Sequence, residues 1–597
     1  MPGQRAPFFH PNRDSVIAVS LFALALVVFL RAPIHDVTDS AYSMLASESL
    51  LRRHTFTLDQ YSLPRYQPKH YVDYVSNGKL YTIELANDHL YYFFPPGNLV
   101  LSAPFVAVFN AFGVSAANPD GTYNPEGEAT IEYVLAALLM AALTVIFFYT
   151  GRLLLPLAWS IVVALGGAFG TQIFSTASRV LWTDTWGTLL LGIALWMILR
   201  RETRKAELNS AVLATLLAWL YFVRPTFAVH IIAITIYVLL CQRKYFVGYA
   251  LTGASWFVLF LLYSWHNFHH LLPSYYRASR LYFGVFWTAL AANLVSPGRG
   301  LLVYVPVLFF IAYLLVRYRR QLVYPRIIVM ALFVTVVHLA VMSCFGHWWG
   351  GYSYGPRFST GLVPWFVVVA ILGVQARRLW IEKHSEAVTQ LIRGLEASAG
   401  VVLLLASVAI NGLGAVDRNT VLWNVRPRNI DLHPERNWDW RQPQFLAGFL
   451  HPPIPDVVPP LLEQIDATKA EAEPFLWYGW SAAESQFRWN DGSEAALVFA
   501  MQSPRDTILT MRAGGFVVPG SAQQRVRVAL NGQVLRNFSI LDEPAREYTI
   551  ELPASLLREK NVLTFTLPDA RSPQSLGLGN DPRKLGLALY WLKFTAR

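Results

Sequence analysis

An α-helical bundle crossing a membrane about eleven times, followed by a C-terminal β-sandwich, is the fold class this sequence predicts. Three observations carry that expectation. Hydrophobic residues make up 54% of the 597-residue chain and charged residues only 15%, with a mean hydropathy of +0.36; a soluble domain carries about 25% charge. Apolar runs recur as far as residue 414. From about residue 475 they give way to short alternating runs separated by turn residues.

The first apolar run, 15–30, follows a short basic segment holding Arg5 and Arg13. It lacks a small-residue cleavage site, so it is expected to remain as a first span with its N-terminus in the cytoplasm. Further runs lie near 131–150, 154–175, 186–200, 209–223, 226–241, 246–264, 300–317, 326–344, 361–376 and 397–414. Arg152, the basic block at 200–205, Arg243 with Lys244, the block at 317–320, and Arg377 with Arg378 fall in alternate loops, as cytoplasmic placement requires. That also accounts for the net charge of +11 without a nucleic-acid partner. A crossing by the run at 99–114 would turn every later basic loop outward. It is therefore expected as an interfacial helix on the outer surface, within a long external loop at 31–130. Cys241 and Cys344 sit at the ends of apolar runs and indicate neither a disulfide framework nor a thiolate metal site.

Residues 415–474, rich in Pro, Asn, Arg and Trp, are expected as an irregular connector. The runs AALVFAMQ, TILTMRAG, RVRVALNGQVLRNFSI, EYTIELP, NVLTFTLP and LGLALYWLKF then predict a β-sandwich over 475–597, outside the membrane. Asn531-Gly532 between two alternating runs predicts a hairpin turn. Trp477, Trp480 and Trp489 are expected in its core, with carbohydrate binding as the other reading.

Polar outliers gather on the external side of this topology, which implies a water-filled cleft at the membrane edge. Asp36 and Asp39 stand just beyond the first span. A carboxylate at the edge of hydrocarbon is a candidate general base. Asp39 is equally a candidate N-cap for a helix in SAYSMLASESLL, and a cap would orient it. Arg224, Arg299 and Arg357 fall at outer ends of spans. An arginine there pairs with a carboxylate, with Asp36, Glu48 and Asp184 as candidates, or binds an anion such as phosphate. His347, Trp348, Trp349, Tyr352 and Tyr354 crowd the stretch HWWGGYSYGPRF, and Tyr91, Tyr92, Phe93 and Phe94 lie in the first loop. They form an interfacial belt or a surface that stacks on sugars, and His347 is a base, a ligand or a packing residue. No HExxH, CxxC or paired carboxylate at metal spacing occurs, and no phosphate-binding or dinucleotide-binding glycine motif follows a strand. A tightly held metal and a nucleotide donor are thus not indicated.

The first span, the external acid in DSAY at 39–42 and the FPPG at 94–97 together resemble the GT-C glycosyltransferases, including protein O-mannosyltransferases and aminoarabinose transferases. The usual Asp-Glu pair followed by tyrosine is matched by Asp39 and Tyr42, with Ser40 in place of the Glu. LVSPGRGLLVYVPV, HWWGGYSYGPRF, GWSAAESQFRW and DPRKLGLAL are similar to stretches of a bacterial branch that ends in a β-domain. The resemblance implies a sugar donor on a polyprenyl phosphate, used at the periplasmic face of the inner membrane, and a glycan, lipid or protein acceptor. It implies Asp39 as base, helped by Asp36. Arg224, Arg299 and Arg357 would hold the phosphate, and Tyr42, His347, Trp348, Trp349 and Tyr354 would line the substrate site. No cofactor is certain, and a loosely bound divalent cation stays open. A lipid-linked sugar transporter and a non-catalytic scaffold displaying the β-domain are the alternatives.

Overall fold

In the computed structural model, residues 11–35, 39–63, 82–277, 281–384, 387–426, 428–452, 454–455, 457–517, 523–541, 544–579, 581 and 583–597 are described. They divide into two compact units: Met1–Asn424 with Ile430–Phe445, and Val425–Asn429 with Leu446–Arg597.

The first unit is helical. It opens with α1 (Pro11–Arg31) and α2 (Ser43–Arg53), then a small antiparallel pair, β1 (Ile83–Ala86) and β2 (His89–Tyr92). The helices α3 (Pro96–Ala111), α4 (Pro125–Arg152), α5 (Leu157–Phe169), α6 (Thr183–Arg204), α7 (Ser210–Val223), α8 (Ala228–Cys241) and α9 (Phe246–Phe268) follow. After them come α10 (Phe286–Val295), α11 (Leu301–Tyr304), α12 (Val307–Arg317), α13 (Pro325–Met342), α14 (Val363–Lys383), α15 (Ala387–Val416) and α16 (Asn419–Leu422). Among the described residues, six helical segments are long and apolar enough to cross a membrane: Asn12–Arg31, Pro125–Arg152, Arg243–Phe268, Pro325–Met342, Arg357–Lys383 and Arg393–Val416. All six coincide with expected spans. The remaining expected spans are helical too, but α5, α7, α8 and α12 are shorter. The run at 154–175 ends in a π-helical turn, Ile173–Ala177, and the run at 300–317 is broken at Pro306, which cannot continue a helix ladder. α10 has no counterpart among the expected spans.

Local chemistry sets the helix starts. Asn124 and Asn209 cap α4 and α7 by accepting from Gly127 N and Val212 N, each at 3.1 Å. Pro125 occupies the first turn of α4, where no backbone donor is needed. α4 packs against α1, α5 and α6 and forms the middle of the bundle. α3 buries Leu99, Ser102, Ala103 and Val106, and exposes Phe105, Val108 and the following Phe112. An apolar outer face of this kind is what a helix resting in an interface requires. The Pro-Pro-Gly stretch that starts α3 has a steric reason. A Cβ on Gly97 would come within 2.5 Å of the Phe222 carbonyl carbon at the end of α7.

The expected connector at 415–474 is not irregular throughout. Trp423 Nε1 donates to Gln442 O at 3.0 Å and Ile430 N to Asn424 O at 2.8 Å, so 430–445 folds back onto the helical unit.

The second unit is a β-sandwich of antiparallel strands: β3 (Gln464–Asp466), β4 (Leu476–Tyr478), β5 (Trp480–Ala483), β6 (Arg488–Asn490), β7 (Glu494–Ala500), β8 (Thr507–Gly515), β9 (Gln523–Leu530), β10 (Gln533–Leu541), β11 (Arg546–Leu552), β12 (Lys560–Thr566) and β13 (Leu587–Ala596). One sheet runs β10-β9-β12-β7-β4, the other β11-β8-β13-β6-β5 with β3 beside β13. Asn531 and Gly532 both adopt positive φ, 49° and 86°, in the turn between β9 and β10. Trp480 is 1% exposed in the core and donates to Ala496 O, and Trp477 is also buried. Trp489 departs from expectation: it is only half-buried, edge-on to Phe487 and Phe516.

Candidate functional site

The site begins with the chain between α1 and α2. Arg179, just after the π-turn, donates to the carbonyls of Phe29 at 2.7 Å and Ala32 at 3.0 Å, anchoring the last turn of α1. His35 Nδ1 lies 2.9 Å from Arg179 O, and burial pushes its imidazole below the ordinary range.

Two carboxylates from the start of α4, one turn apart, hold the next stretch. Glu128 accepts from Tyr42 N at 2.7 Å, Met44 N at 2.6 Å, Leu45 N at 3.3 Å and the Tyr123 phenol at 2.6 Å. Glu132 accepts from the hydroxyls of Ser40 at 2.7 Å and Ser43 at 3.2 Å. Both are fully buried. Tyr42, the residue before α2, has φ 73°, a conformation costly for an aromatic residue. The Glu128 bonds to its amide and to the next turn over-determine it. Glu128 thereby caps α2 from across the fold, with negative charge at the positive end of the helix.

This corrects the expectation that Asp39 caps that helix. No side-chain cap bond is made by the N-cap residue, and the Asp39 carboxylate turns instead to Arg357, with Asp39 Oδ2 2.5 Å from Nη2. The backbone oxygen of Asp39 accepts from the Tyr92 phenol at 2.8 Å. Burial, with Glu132 and Asp39 nearby, raises that phenol well above its ordinary range and keeps it a donor.

Arg357 opens a 3₁₀ turn, Arg357–Leu362, leading into α14. Its guanidinium carbon lies 3.5 Å from the Trp182 ring centroid, a cation–π contact, and Nη1 reaches Gly350 O at 3.4 Å. Arg224 ends α7 in extended conformation. It donates to the Asp184 carboxylate in the first turn of α6 and to Thr183 Oγ1 at 3.4 Å. The Phe358 ring sits by both cations, 5.4 Å from the Arg224 guanidinium carbon and 5.9 Å from that of Arg357. Asp184 is near enough to feel the attraction of Arg224 and Arg357 and the repulsion of Asp39. Asp39, Arg357, Asp184 and Arg224 thus form one charge-balanced cluster, with both arginines more than nine-tenths buried. Among the described residues, Nε of Arg224 and Nε of Arg357 have no hydrogen-bond partner.

Arg299 is placed differently. Its donors go to Trp349 O at 2.6 Å, Gly298 O at 2.9 Å, Gln444 Oε1 at 2.5 Å, Gly351 O at 3.1 Å and Asn424 Oδ1 at 2.8 Å. With Nε and both terminal nitrogens committed to protein oxygens, it fastens the 349–351 backbone and has no fork left for a phosphate. Arg299, Arg357, Trp348, Trp349 and Phe358 line one narrow cleft whose free volume is about 10 Å³, room for about one water molecule. His347 is half-exposed, 4.5 Å from the Trp349 ring and 3.9 Å from Asp431, to which Trp349 Nε1 donates at 2.7 Å. Tyr354 is buried, donating to Ile410 O at 2.5 Å against the edge of Tyr304, and packs rather than lining the cleft. Tyr42 is likewise buried, 4.6 Å from Tyr123. Glu48 accepts from Ala116 N at 2.6 Å and from Ser115, and Arg224 pairs with Asp184 instead. Asp36 lies outside the described residues.

Glu128, Glu132, Trp182 and Phe358 were not among the expected site residues. The two glutamates had a signal, acids four apart at the head of an apolar helix. Trp182 and Phe358 had none beyond lying beside Asp184 and Arg357. Phe358 is itself held by a directional chain. The Trp365 indole donates to His230 Nδ1 at 3.0 Å, so His230 Nε2 donates to His338 Nδ1 at 3.2 Å, and His338 Nε2 to Phe358 O at 2.8 Å.

Among the described residues, no group of three or more His, Cys, Asp or Glu is placed to hold a metal ion. The residues of the DSAY stretch do not fit a cation either, since Asp39 faces an arginine and the Ser40 hydroxyl faces Glu132.

No model of a known protein family and no curated protein sequence matches the chain. Among solved structures, the crystal structure of ArnT from Cupriavidus metallidurans in the apo state is similar with a TM-score of 0.39 and 13% identity, over 72% of this chain and 75% of that one. A family GH115 4-O-methyl-α-glucuronidase, BtGH115A, with specificity for decorated arabinogalactans, is similar with a TM-score of 0.17 and 11% identity, over 68% of this chain and 44% of its own.

Proposed function

We propose that this chain is a GT-C-type membrane glycosyltransferase that moves a sugar from a polyprenyl phosphate to an acceptor hydroxyl at the external face of a bacterial inner membrane. The observation that supports this most is the convergence of Asp39, Arg224 and Arg357, far apart in sequence, in one buried cluster beside an aromatic-lined cleft.

In this reading the acceptor hydroxyl oxygen attacks the anomeric carbon and the bond from that carbon to the phosphate oxygen breaks, inverting the centre. The hydroxyl proton passes to the Asp39 carboxylate, and the bonding pair leaves with the polyprenyl phosphate. Arg224 and Arg357 stabilise the negative charge that grows on the departing phosphate. The acceptor is a glycan, lipid or protein; His347 is exposed to meet it or the sugar, with Trp348 and Trp349 buried beside it. Glu128 and Glu132 position Asp39 through the backbone and hydroxyls of 40–45.

The test is sugar transfer by the purified chain in lipid nanodiscs supplied with polyprenyl-phosphate sugars. Asp39→Ala should lower turnover by about 10²-fold or more while the protein still folds. Undiminished transfer by that variant rejects Asp39 as the base.

A further inference from the structure

The base and the phosphate anchor of this reading are bonded to each other. Asp39 Oδ2 occupies Arg357 Nη2 at 2.5 Å, and Asp184 occupies Arg224. The Asp39 oxygen that the guanidinium holds is a weaker acceptor for a hydroxyl proton. A guanidinium that already carries a carboxylate attracts a phosphate less strongly. Yet neither arginine is saturated, since each keeps a buried Nε–H without a partner among the described residues. The other Arg357 contact, to Gly350 O, is long at 3.4 Å. The contrast with Arg299, whose donors are all spent on protein oxygens, is internal to the same cleft.

Resting on the transferase reading, we infer that the two carboxylates are placeholders for the donor's phosphate. The phosphate takes Arg357 and Arg224, and the exchange releases Asp39 to act as base. Two buried arginines left without counter-ions are costly, so the cluster holds its own anions until a third arrives. An acceptor bound before the donor meets a base that is still paired. Binding is therefore ordered, donor first, and the base is released only once a lipid phosphate has arrived.

The test is the affinity of decaprenyl phosphate, carrying no sugar, for the full chain in nanodiscs of neutral lipid. Four forms are compared: wild type, Asp39→Asn, Arg357→Gln and the double variant. Asp39→Asn removes the competitor and should bind the lipid phosphate about tenfold more tightly while losing transfer. Arg357→Gln should bind about tenfold more weakly, and the gain from Asp39→Asn should vanish in its background. Decaprenol, which lacks the phosphate, should not distinguish the forms. Unchanged or weaker binding by Asp39→Asn, where the wild type transfers sugar, overturns the placeholder role alone. So does a gain that persists in the Arg357→Gln background, since that would be a field effect and not a broken pair. A wild type that neither binds decaprenyl phosphate nor transfers sugar overturns the transferase reading with it.

Discussion

Asp39 is not spent on capping α2, because another residue does that job. At 39–53 the sequence reads as an acid followed by a helix, and an N-cap is the natural inference. The cap comes instead from Glu128, 86 residues beyond Tyr42, through bonds to the amides of Tyr42, Met44 and Leu45. No local pattern could reveal that. Glu128→Ala should strand those buried donors and destabilise the chain by about 2–4 kcal/mol, read as a lowered unfolding midpoint in detergent. The arginines were legible as a group but not in their separate roles, because the difference between them lies in what fills their forks. Arg224→Ala should raise the apparent KM for donor more than that for acceptor. Arg299→Ala should lower stability without that selectivity, since its partners are protein oxygens. Steady-state kinetics of the two variants separates the roles.

At the scale of elements, strongly periodic or apolar stretches were readable and their interruptions were not. The six long helices and the Asn531-Gly532 hairpin follow from hydropathy and turn chemistry. The break at Pro306 has a visible cause, whereas the π-turn at Ile173–Ala177, all five residues buried, has no local sequence signal. The Pro-Pro-Gly that begins α3 was recognisable as a motif, but its reason, contact with the α7 backbone, was not. Gly97→Ala should push α3 away from the end of α7, costing about 1–3 kcal/mol and lowering donor affinity through the adjoining Arg224. Thermal unfolding and donor binding would both report it. In the sandwich, Arg525 clasps Asp569 by Nε at 2.8 Å and Nη2 at 2.6 Å. The clasp pulls the Asp569 carboxyl down to about 2 from an ordinary 3.8. A depressed carboxylate contributes stability above its unfolded value and loses it as pH falls through its folded one. Asp569→Asn should therefore speed hydrogen exchange at the β9 amides near neutral pH, and the difference should close between about pH 4 and pH 2.

Over the whole molecule, the proposed site requires an N-terminus inside and the 31–130 loop outside, as the alternation of basic loops in the sequence would have it. The candidate site draws on that loop and on the segments that start α6, end α7 and start α14. Such a constellation does work only if all four open to one side. A cysteine placed at Asn118 should react with a membrane-impermeant maleimide added outside intact cells, and one placed at Arg204 should react only after permeabilisation. The sandwich core was legible from alternation, while the half-buried Trp489 was not, since period-two patterning tells inner from outer faces but not how far a neighbour's ring covers an outer one. The measurement that bears most directly on the account is a structure of the full chain in nanodiscs with decaprenyl phosphate. The account predicts phosphate oxygens at hydrogen-bond distance, ~3 Å, from both Arg224 and Arg357, with the Asp39 carboxylate turned from Arg357 into the cleft. Phosphate bound elsewhere, with the Asp39–Arg357 pair intact, would contradict it.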